Sequence, residues 1–333
     1  MKTVFFLISF LYRRACWIRN LMYAANIFKC KKSPIPVLSI GNISFGGTEK
    51  TPLAIHLVSF FIKEKIRVGI ISRGYKGKWE NKGGVLSDGK NIYGSWEDAG
   101  DEPFMMSKTI PQAGVYIGKN RYHSCQKAAQ SGFDLAILDD GFQHRQLCRD
   151  LDIVLINPLE KIALREPFIS LKRADILLIK KNSGKIKEKL SHRFKKKHIY
   201  EYKVIKKGFF PMGKTIPLAE NQLKNKRILV FSGIARPERF HNMLQNSGIK
   251  SYFSINFPDH HHYPLSSIKR ILKKYKSIGA QAIITTEKDT VKIKEHPAFS
   301  NIPVYYLKID LEIENNFYSD LSLFLKRKKL VDK

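Results

Sequence analysis

A lysine and a threonine placed directly after a glycine-containing loop form the strongest chemical signal in this sequence. Lys50 and Thr51 stand between an apolar run and an amphipathic run, the order expected of strand, loop and helix. In such a loop backbone N–H groups cradle phosphates, the lysine meets the terminal phosphates and the threonine hydroxyl binds Mg²⁺. The positions that would hold a nucleotide are Gly46, Gly47, Thr48, Glu49, Lys50 and Thr51. The usual spacing requires glycine where Ser44 and Glu49 stand, so the pattern is incomplete at two positions.

An adjacent acid pair provides a second phosphate-site signal. Asp139 and Asp140 follow four hydrophobic residues, as in enzymes where a carboxylate at a strand end holds Mg²⁺. Adjacent side chains on a strand alternate between faces, so the two carboxylates need not do the same job.

Two further carboxylates lie in turns. Asp101, between Gly100 and Pro103, could accept a proton from an attacking hydroxyl. The alternative is that it caps a helix that begins there. Glu166 follows Arg165 in a loop, and this adjacent carboxylate and cation could simply form a surface ion pair.

Short apolar runs alternating with helical segments must position these residues. The predicted strands of the first domain are 36–40, 67–72, 114–118, 133–138, 151–156 and 174–179. Continuous runs of this kind indicate strands covered on both faces. The fold class is therefore α/β with a mainly parallel sheet, in which ligands bind beyond the carboxyl ends of the strands.

The sequence pattern changes near residue 200. Strands near 227–232 and 282–286, with helices near 236–246 and 263–277, predict a second, smaller α/β domain. Strand-like runs at 202–207 and 304–310 flank it and could form a two-stranded connection. The predicted divisions are an N-terminal helical segment (1–32), a nucleotide-binding domain (33–199), the smaller domain with its linking strands (200–314) and a C-terminal helix returning to the first domain (315–333).

Composition points to an anionic partner. The 333 residues contain 59 Lys and Arg against 29 Asp and Glu, a formal net charge of +30. Nucleic acid, an anionic membrane surface or a phosphorylated substrate would suit this charge, although a well-solvated surface would also account for it. The four cysteines form no C-x-x-C pair and fit a reducing cytosol better than a disulfide framework.

The N-terminus is apolar and basic. Residues 3–11 and 21–28 are apolar runs separated and followed by Arg and Lys. Both are shorter than the ~18 uncharged residues that a spanning helix needs. They predict a helical segment at the membrane interface, with the alternative of a helix packed on the protein's own core.

Seven short motifs occur in one order along the chain. They are 41–52 (GNISFGGTEKTP), 72–75 (SRGY), 100–103 (GDEP), 139–144 (DDGFQH), 164–167 (LREP), 257–260 (FPDH) and 286–289 (TEKD). Together they resemble the tetraacyldisaccharide 4′-kinase family, the lipid A 4′-kinases of Gram-negative bacteria. The resemblance covers essentially the whole chain and implies a P-loop NTPase-like fold. Ser44 agrees with this family's loop, whereas Glu49 replaces its usual glycine.

The resemblance implies the reaction and its setting. Such enzymes transfer the γ-phosphate of ATP to the 4′-hydroxyl of tetraacyldisaccharide 1-phosphate, giving lipid IVA, with Mg²⁺. They work at the cytoplasmic face of the inner membrane, so a peripheral or monotopic protein is expected. The expected partners are the lipid A precursor and the anionic membrane surface, with no nucleic acid, and a monomer is expected.

The resemblance also implies residue roles. Lys50 would meet the β- and γ-phosphates. Asp101 would act as base toward the sugar hydroxyl, paired with His260, although the run 259–262 (DHHH) leaves His261 as an alternative. The implied metal site comprises Thr51, Asp139, Asp140, Gln143 and Glu166. The candidates for the substrate's headgroup and phosphate are Asn42, Arg73, Tyr75, Arg121, His144 and Arg145.

Glu49 leaves a second function open. A carboxylate among phosphates is unfavourable unless its side chain points outward or toward a Lys or Mg²⁺. The chain could therefore be a homologue that binds lipid without catalysis, but we expect that position 49 does not demand glycine and that the loop works. A nucleic-acid binder is excluded by the lack of a recognition module, and the histidine run lacks the ligand spacing of a zinc site.

Overall fold

The computed structural model describes residues 14, 16–44, 49–157, 164–181, 183–219, 221–250 and 252–331. The chain divides into two compact units. The first comprises Met1–Lys203 together with Leu311–Lys333, and the second comprises Val204–Asp310. The predicted loop residues Gly46, Gly47 and Thr48, and the apolar run 3–11, lie outside the described residues.

A mainly parallel sheet forms the centre of the first unit. Its strands are β1 (Val37–Asn42), β2 (Val68–Ser72), β3 (Gly84–Asp88), β4 (Gly114–Ile117), β5 (Leu135–Leu138), β6 (Leu151–Ile156), β7 (Ile176–Lys180) and the first part of β8 (His198–Pro211). Their order is β8-β7-β6-β1-β5-β2-β4-β3. Among the described pairings only β3 with β4 is antiparallel. The predicted α/β class is confirmed.

Burial explains which strands the sequence revealed. β1, β2 and β5 are buried along their whole length, as expected of strands covered on both faces. β3 is partly exposed and contains only a short apolar stretch, which is why no strand was predicted there.

The helices of the first unit are interspersed with its strands along the sequence. They are α1 (residues 16–24), α2 (Lys50–Lys63), α3 (Trp79–Lys82), α4 (Trp96–Ala99), α5 (Asp101–Thr109), α6 (Arg121–Gln130), a 3-10 helix (Phe168–Arg173), α7 (Gly184–Arg193) and α12 (Asn316–Arg327). α2 starts just beyond the end of β1 and buries Leu53, Leu57, Val58 and Phe61. This burial fixes the helix whose first turn carries Lys50 and Thr51.

The second unit is a smaller parallel sheet with its own core. Its strands are β9 (Ile228–Ser232), β10 (Tyr252–Asn256), β11 (Ala282–Thr286), β12 (Val304–Ile313) and the second part of β8, and its helices are α8 (Asn221–Lys224), α9 (Pro237–Asn246), α10 (Leu265–Ser277), α11 (Glu287–Ile293) and a 3-10 helix (Pro297–Phe299). β10, β9, β11 and β12 pair in parallel. Phe231, Phe257 and Tyr263 lie in the core.

α12 belongs to the first unit although it ends the sequence. The hydroxyl of Tyr318 lies 2.7 Å from Nε2 of His56 on α2. The hydroxyl of Tyr200 on β8 donates to Oδ2 of Asp320 at 2.5 Å. These contacts hold the last helix against the first unit.

The described part of the N-terminus is a short helix with two different faces. Cys16 is buried, whereas Trp17, Ile18 and Leu21 are 43%, 53% and 47% exposed. No helix within the described residues combines the length and apolar character required to cross a membrane.

A disulfide corrects the expectation for the cysteines. Cys30 and Cys148 are bonded across 118 residues of sequence, while Cys16 and Cys125 are buried thiols. The expectation of four reduced cysteines was wrong for this pair. Local spacing gave no signal, because the two residues meet only after the chain has folded: Lys31 pairs with Leu147 in a short bridge beside them.

Candidate active site

Lys50 lies at the start of α2 and faces the strand ends of the sheet. Its Nζ is 3.4 Å from Oδ1 of Asn42, at the end of β1, and 3.4 Å from Oδ1 of Asp140. The lysine therefore lies at the carboxyl edge of a parallel sheet, where ligands bind in this fold class. Three predicted site residues, from β1, α2 and the segment after β5, are thus brought together.

Close backbone packing makes this meeting possible. A Cβ on Gly41 would lie 2.4 Å from Cβ of Phe142, so any side chain at position 41 would push β1 and the acid-pair segment apart. The N–H of Gly141 donates to the carbonyl of Ile40 at 2.8 Å. The glycine of the Gly41-Asn42 pair therefore serves packing between strand ends.

The two carboxylates of the acid pair lie in opposite electrostatic environments. Burial raises the pKa of Asp139 to about 7, helped by repulsion from Glu102 and Asp140. Burial also opposes ionisation of Asp140, but the cations Lys50 and Arg165 outweigh it and lower its pKa to about 2. Asp140 therefore loses its proton at a far lower pH than Asp139.

Two residues absent from the predicted set, Arg165 and Glu102, complete this cluster. Arg165 donates from Nη1 to Oδ2 of Asp140 at 2.7 Å, and Thr51 donates from Oγ1 to Oε2 of Glu102 at 3.2 Å. Both stand beside predicted residues in the motifs GDEP and LREP. That adjacency was the available signal for them.

Asp101 begins α5 and is buried. Its Oδ1 accepts the backbone N–H of Glu102 at 2.9 Å. Gly100 is the N-cap and α5 has no side-chain cap bond, so the capping alternative does not describe this residue. Since Glu102 contacts Thr51, Asp101 stands next in sequence to the cluster.

The donors at this edge suit Mg²⁺. Oδ1 of Asp139 is buried and has no hydrogen-bond partner among the described atoms. Thr51 and Glu102 add a hydroxyl and a carboxylate, the hard oxygen ligands that Mg²⁺ accepts. Within the described residues no three His, Cys, Asp or Glu side chains form a metal cage. Mg²⁺ commonly takes only one or two carboxylates together with substrate phosphates, so these residues fit the ion.

Glu166 and Gln143 have structural partners instead. Glu166 is completely buried, with Oε2 2.5 Å from Nη2 of Arg173 and 2.9 Å from Nδ2 of Asn20 on α1. Oε1 of Glu166 lies 3.7 Å from Nη2 of Arg19. Gln143 donates from Nε2 to the carbonyl of Asn42 at 2.7 Å. Both side chains therefore contact the protein framework of the site.

The predicted substrate residues divide into two groups. Burial and the neighbouring cations lower the pKa of Arg121 to about 10 and that of His144 to about 4, so His144 is neutral at pH 7. Nε of Arg121 has no partner among the described atoms. Arg121 is buried, whereas His144 is half-buried.

The second group is exposed or engaged elsewhere. Arg73 is paired with Glu80 at 2.5 Å, and Tyr75 is 53% exposed. Arg145 donates to the carbonyl of Asn20 at 2.8 Å and stacks on Tyr23. Arg145 therefore fixes α1 to the first unit.

The chain is similar to known proteins along nearly its whole length. The family model described as tetraacyldisaccharide-1-P 4'-kinase matches residues 1–326. The chain belongs to this family. A tetraacyldisaccharide 4'-kinase of Desulfotalea psychrophila is 34% identical over 93% of this chain and 92% of its own length. That of Aquifex aeolicus is 34% identical over 92% and 93%.

A solved structure agrees with the fold. The crystal structure of LpxK from Aquifex aeolicus in complex with ATP is similar with a TM-score of 0.77 and 29% identity, and the match covers 98% of this chain and 99% of that chain. The resemblance inferred from seven motifs is therefore confirmed.

The histidine run of this kinase-family chain lies in the second unit. His261 stacks on Phe257 at 4.5 Å between ring centroids, and its Nε2 lies 2.8 Å from Oγ of Ser267. Nε2 of His260 lies 3.3 Å from Nζ of Lys288 and 3.8 Å from Oδ2 of Asp259. His261 thus has a packing role, which favours His260 as the functional histidine.

Glu49, the departure from the family loop, has a defined conformation. It is the N-cap of α2, with φ 53° in the left-handed region. Glycine adopts this backbone at least cost, and in this chain a glutamate occupies it. Its carboxylate meets Lys180 at 3.4 Å, one of the arrangements that the sequence left acceptable.

Proposed function

We propose that this chain transfers the γ-phosphate of ATP to the 4′-hydroxyl of tetraacyldisaccharide 1-phosphate, forming lipid IVA. The observation that carries this proposal is the cluster at the sheet edge, with Lys50 3.4 Å from Asp140 and Thr51 3.2 Å from Glu102. Phosphoryl transfer depends mostly on positioning and on neutralising charge. Family membership supplies the reaction, and this cluster supplies both requirements.

The nucleotide and its metal have distinct ligands in this proposal. Lys50 would contact the β- and γ-phosphates from the start of α2. Thr51, Asp139 and Asp140 would hold Mg²⁺, which neutralises charge on those phosphates when bound. Loss of the Asp139 proton would accompany metal binding, because ligating carboxylates must be ionised.

Asp101 would be the base for the sugar hydroxyl. It accepts the hydroxyl proton as the 4′-oxygen bonds to the γ-phosphorus. The bond from that phosphorus to the bridging oxygen breaks, and ADP leaves. The resemblance also implies a part for His260 in managing this proton. Arg121 is the strongest candidate for a substrate phosphate, since its buried Nε has no partner among the described atoms.

Turnover by the purified full chain tests this function. We expect MgATP-dependent phosphorylation of tetraacyldisaccharide 1-phosphate in detergent. Asp101→Ala should reduce kcat by roughly 100-fold or more, and His260→Ala should reduce it less. Lys181→Met, at an exposed lysine, is the matched control. No turnover by the wild type, or full activity of Asp101→Ala, would refute the proposal.

The two faces of α1 support a proposal for the location of the protein. Arg19 and Asn20 contact Glu166 on the inner side, whereas Trp17 and Ile18 are exposed. We place this outer face at the cytoplasmic side of the bacterial inner membrane, with Lys29, Lys31 and Lys32 near anionic headgroups. The inner face of α1 would then pack on the protein, and its outer face would lie at the membrane interface. Each of the two interpretations of this segment would apply to one face. We expect a monomer, which analytical ultracentrifugation would test.

Flotation with vesicles tests the membrane face. The full chain should float with phosphatidylethanolamine–phosphatidylglycerol vesicles. Trp17→Glu with Ile18→Glu should lower bound protein by at least about tenfold, because two apolar side chains leave the interface. Leu323→Glu on α12, where the leucine is 46% exposed, is the control. Equal losses in both variants would contradict this placement.

A further inference from the structure

Glu49 joins the nucleotide loop to α2 in a conformation unusual for its residue type. Its φ of 53° and ψ of 25° are left-handed, and its side chain makes no capping hydrogen bond to the helix. Glycine, and to a smaller extent Asn and Asp, visit this region routinely, whereas glutamate does not. Such a conformation persists only where the surroundings hold it.

Residues on two neighbouring strands hold the Glu49 side chain in place. Oε1 of Glu49 lies 3.4 Å from Nζ of Lys180, at the end of β7. Oε2 accepts a hydrogen bond from the hydroxyl of Tyr202, on β8, at 3.3 Å. Lys180 and Tyr202 are direct partners in the parallel register of β7 and β8. The sheet therefore presents an ammonium and a phenol side by side, one to each carboxylate oxygen.

Burial makes these contacts necessary. The Glu49 side chain is only 10% exposed, and a carboxylate so poorly solvated is stable only when paired. If Lys180 lost its charge, the carboxylate would stand unneutralised at the end of a loop that receives a polyphosphate. The carboxylate and the phosphates carry charges of the same sign and would repel each other.

We propose that Glu49 is a positioning residue for ATP, held by Lys180 and Tyr202. The pair keeps the carboxylate directed toward β7 and β8, and it keeps the left-handed turn that places Lys50 at the first position of α2. The function of the glycine usual at this position is thereby performed by a glutamate with two dedicated partners. This inference rests on ATP binding by the chain.

A double-mutant cycle tests the proposal in the full chain. The variants are Lys180→Met, Glu49→Gly and the double variant, with the dissociation constant for ATP, KM for MgATP and kcat measured for each. In the presence of Glu49, Lys180→Met should weaken ATP binding about tenfold, with kcat at saturating ATP within about twofold. In the Glu49→Gly background, Lys180→Met should weaken ATP binding less than about twofold.

Further variants separate positioning from general stability. Lys180→Arg keeps the charge and should restore ATP affinity, while Tyr202→Phe, which removes one hydroxyl, should weaken binding about threefold. Lys181→Met, at the exposed neighbouring lysine, should match the wild type. Thermal unfolding checks that each variant is folded. If Lys180→Met does not fold, the double-mutant cycle can be made with Tyr202→Phe in the wild-type chain and in the Glu49→Gly variant.

The outcomes that overturn the proposal are distinct. Equal weakening by Lys180→Met with and without Glu49 would show that the lysine acts without the glutamate. Unchanged ATP affinity, or a loss confined to kcat, would show that the contact does not position the nucleotide. A wild-type chain that binds no ATP would refute the proposed function itself, and with it this inference.

Discussion

Asp139 and Asp140 show that neighbouring residues of one type can be given different chemistry by their surroundings. Asp139 is desolvated and near like charges, which raises its pKa to about 7. Asp140 faces Lys50 and Arg165, whose charges lower its pKa to about 2 despite burial. An acid pair of this kind combines one permanently charged group with one that ionises when a cation arrives.

The raised pKa of Asp139 predicts a pH-dependent stability of the metal-free protein. Between about pH 4 and pH 7 the folded state keeps a proton that the unfolded state has lost, so stability falls as the pH rises through this range. Asp139→Asn should remove this slope and, at pH 8, raise the free energy of unfolding by roughly 2 to 4 kcal/mol. Asp140→Asn should lower the free energy of unfolding at neutral pH, because it removes a carboxylate that Lys50 and Arg165 stabilise. Urea denaturation at pH 5 and pH 8 measures both, and equal slopes in the wild type and Asp139→Asn would contradict the raised pKa.

The buried pair of Glu166 and Arg173 gives a second prediction at this scale. Glu166→Ala removes the carboxylate that faces the Arg173 guanidinium, which should lower the free energy of unfolding by about 3 kcal/mol. Removal of the exposed partner in Glu97→Ala, where Glu97 pairs with Lys78, should have no measurable effect. At a temperature where it remains folded, Glu166→Ala should bind Mg²⁺ in the presence of ATP as the wild type does. A selective loss of Mg²⁺ affinity would return Glu166 to the metal set.

At the scale of elements, the site depends on the end of β1 and the segment after β5 lying in contact. Neither provides a complete phosphate site alone, since the lysine follows one strand and the acid pair follows the other. β1 and β5 are adjacent and parallel, so both carboxyl ends reach the same edge. The absence of a side chain at Gly41 lets them approach closely.

Gly41→Ala tests this packing. The added Cβ would meet Cβ of Phe142 at 2.4 Å, and the resulting shift should lower stability by about 1 to 3 kcal/mol and reduce turnover strongly. Gly184→Ala is the matched control, since a Cβ there meets nothing within 4 Å, and it should keep full activity. Calorimetry and initial rates provide the measurements. Near-wild-type values for Gly41→Ala would show that the strand ends can separate without harm.

At the scale of the whole molecule, sequence-distant segments are fastened to the first unit. α1 is held by Glu166 and Arg145, α12 by His56 and Tyr200, and the segment after α1 by the disulfide of Cys30 with Cys148. The chain thereby keeps its amphipathic N-terminal helix on the same unit as the nucleotide cluster. This arrangement agrees with the location that we propose, with the outer face of α1 at a membrane surface.

The disulfide predicts a redox-dependent stability. Cross-linking residues separated by 118 positions restricts the unfolded chain, so Cys148→Ser should lower the free energy of unfolding by about 2 to 5 kcal/mol. A reductant should lower the stability of the wild type and leave Cys148→Ser unchanged. Denaturation with and without dithiothreitol measures both effects. A wild type indifferent to the reductant would show that the bond does not stabilise the fold.

Local sequence pattern determined much of this protein. Buried parallel strands are continuous apolar runs, so the α/β class and the predicted strands of the first unit followed from hydrophobicity alone. Lys50, Thr51 and the acid pair were recognisable because a phosphate site needs those residue types at strand ends. Glu49 was identifiable as an exception for the same reason.

Only the tertiary structure decided which distant residues became partners. Nothing near Glu49 in sequence indicates that Lys180 and Tyr202 would receive its carboxylate, since that depends on β7 and β8 being neighbours in the sheet. The same holds for Arg165 with Asp140, for Glu166 with Arg173 and for the two bonded cysteines. Residue type and spacing specify what chemistry a side chain can do, whereas its charge state and its partner are set by burial and by contacts that exist only after long-range folding.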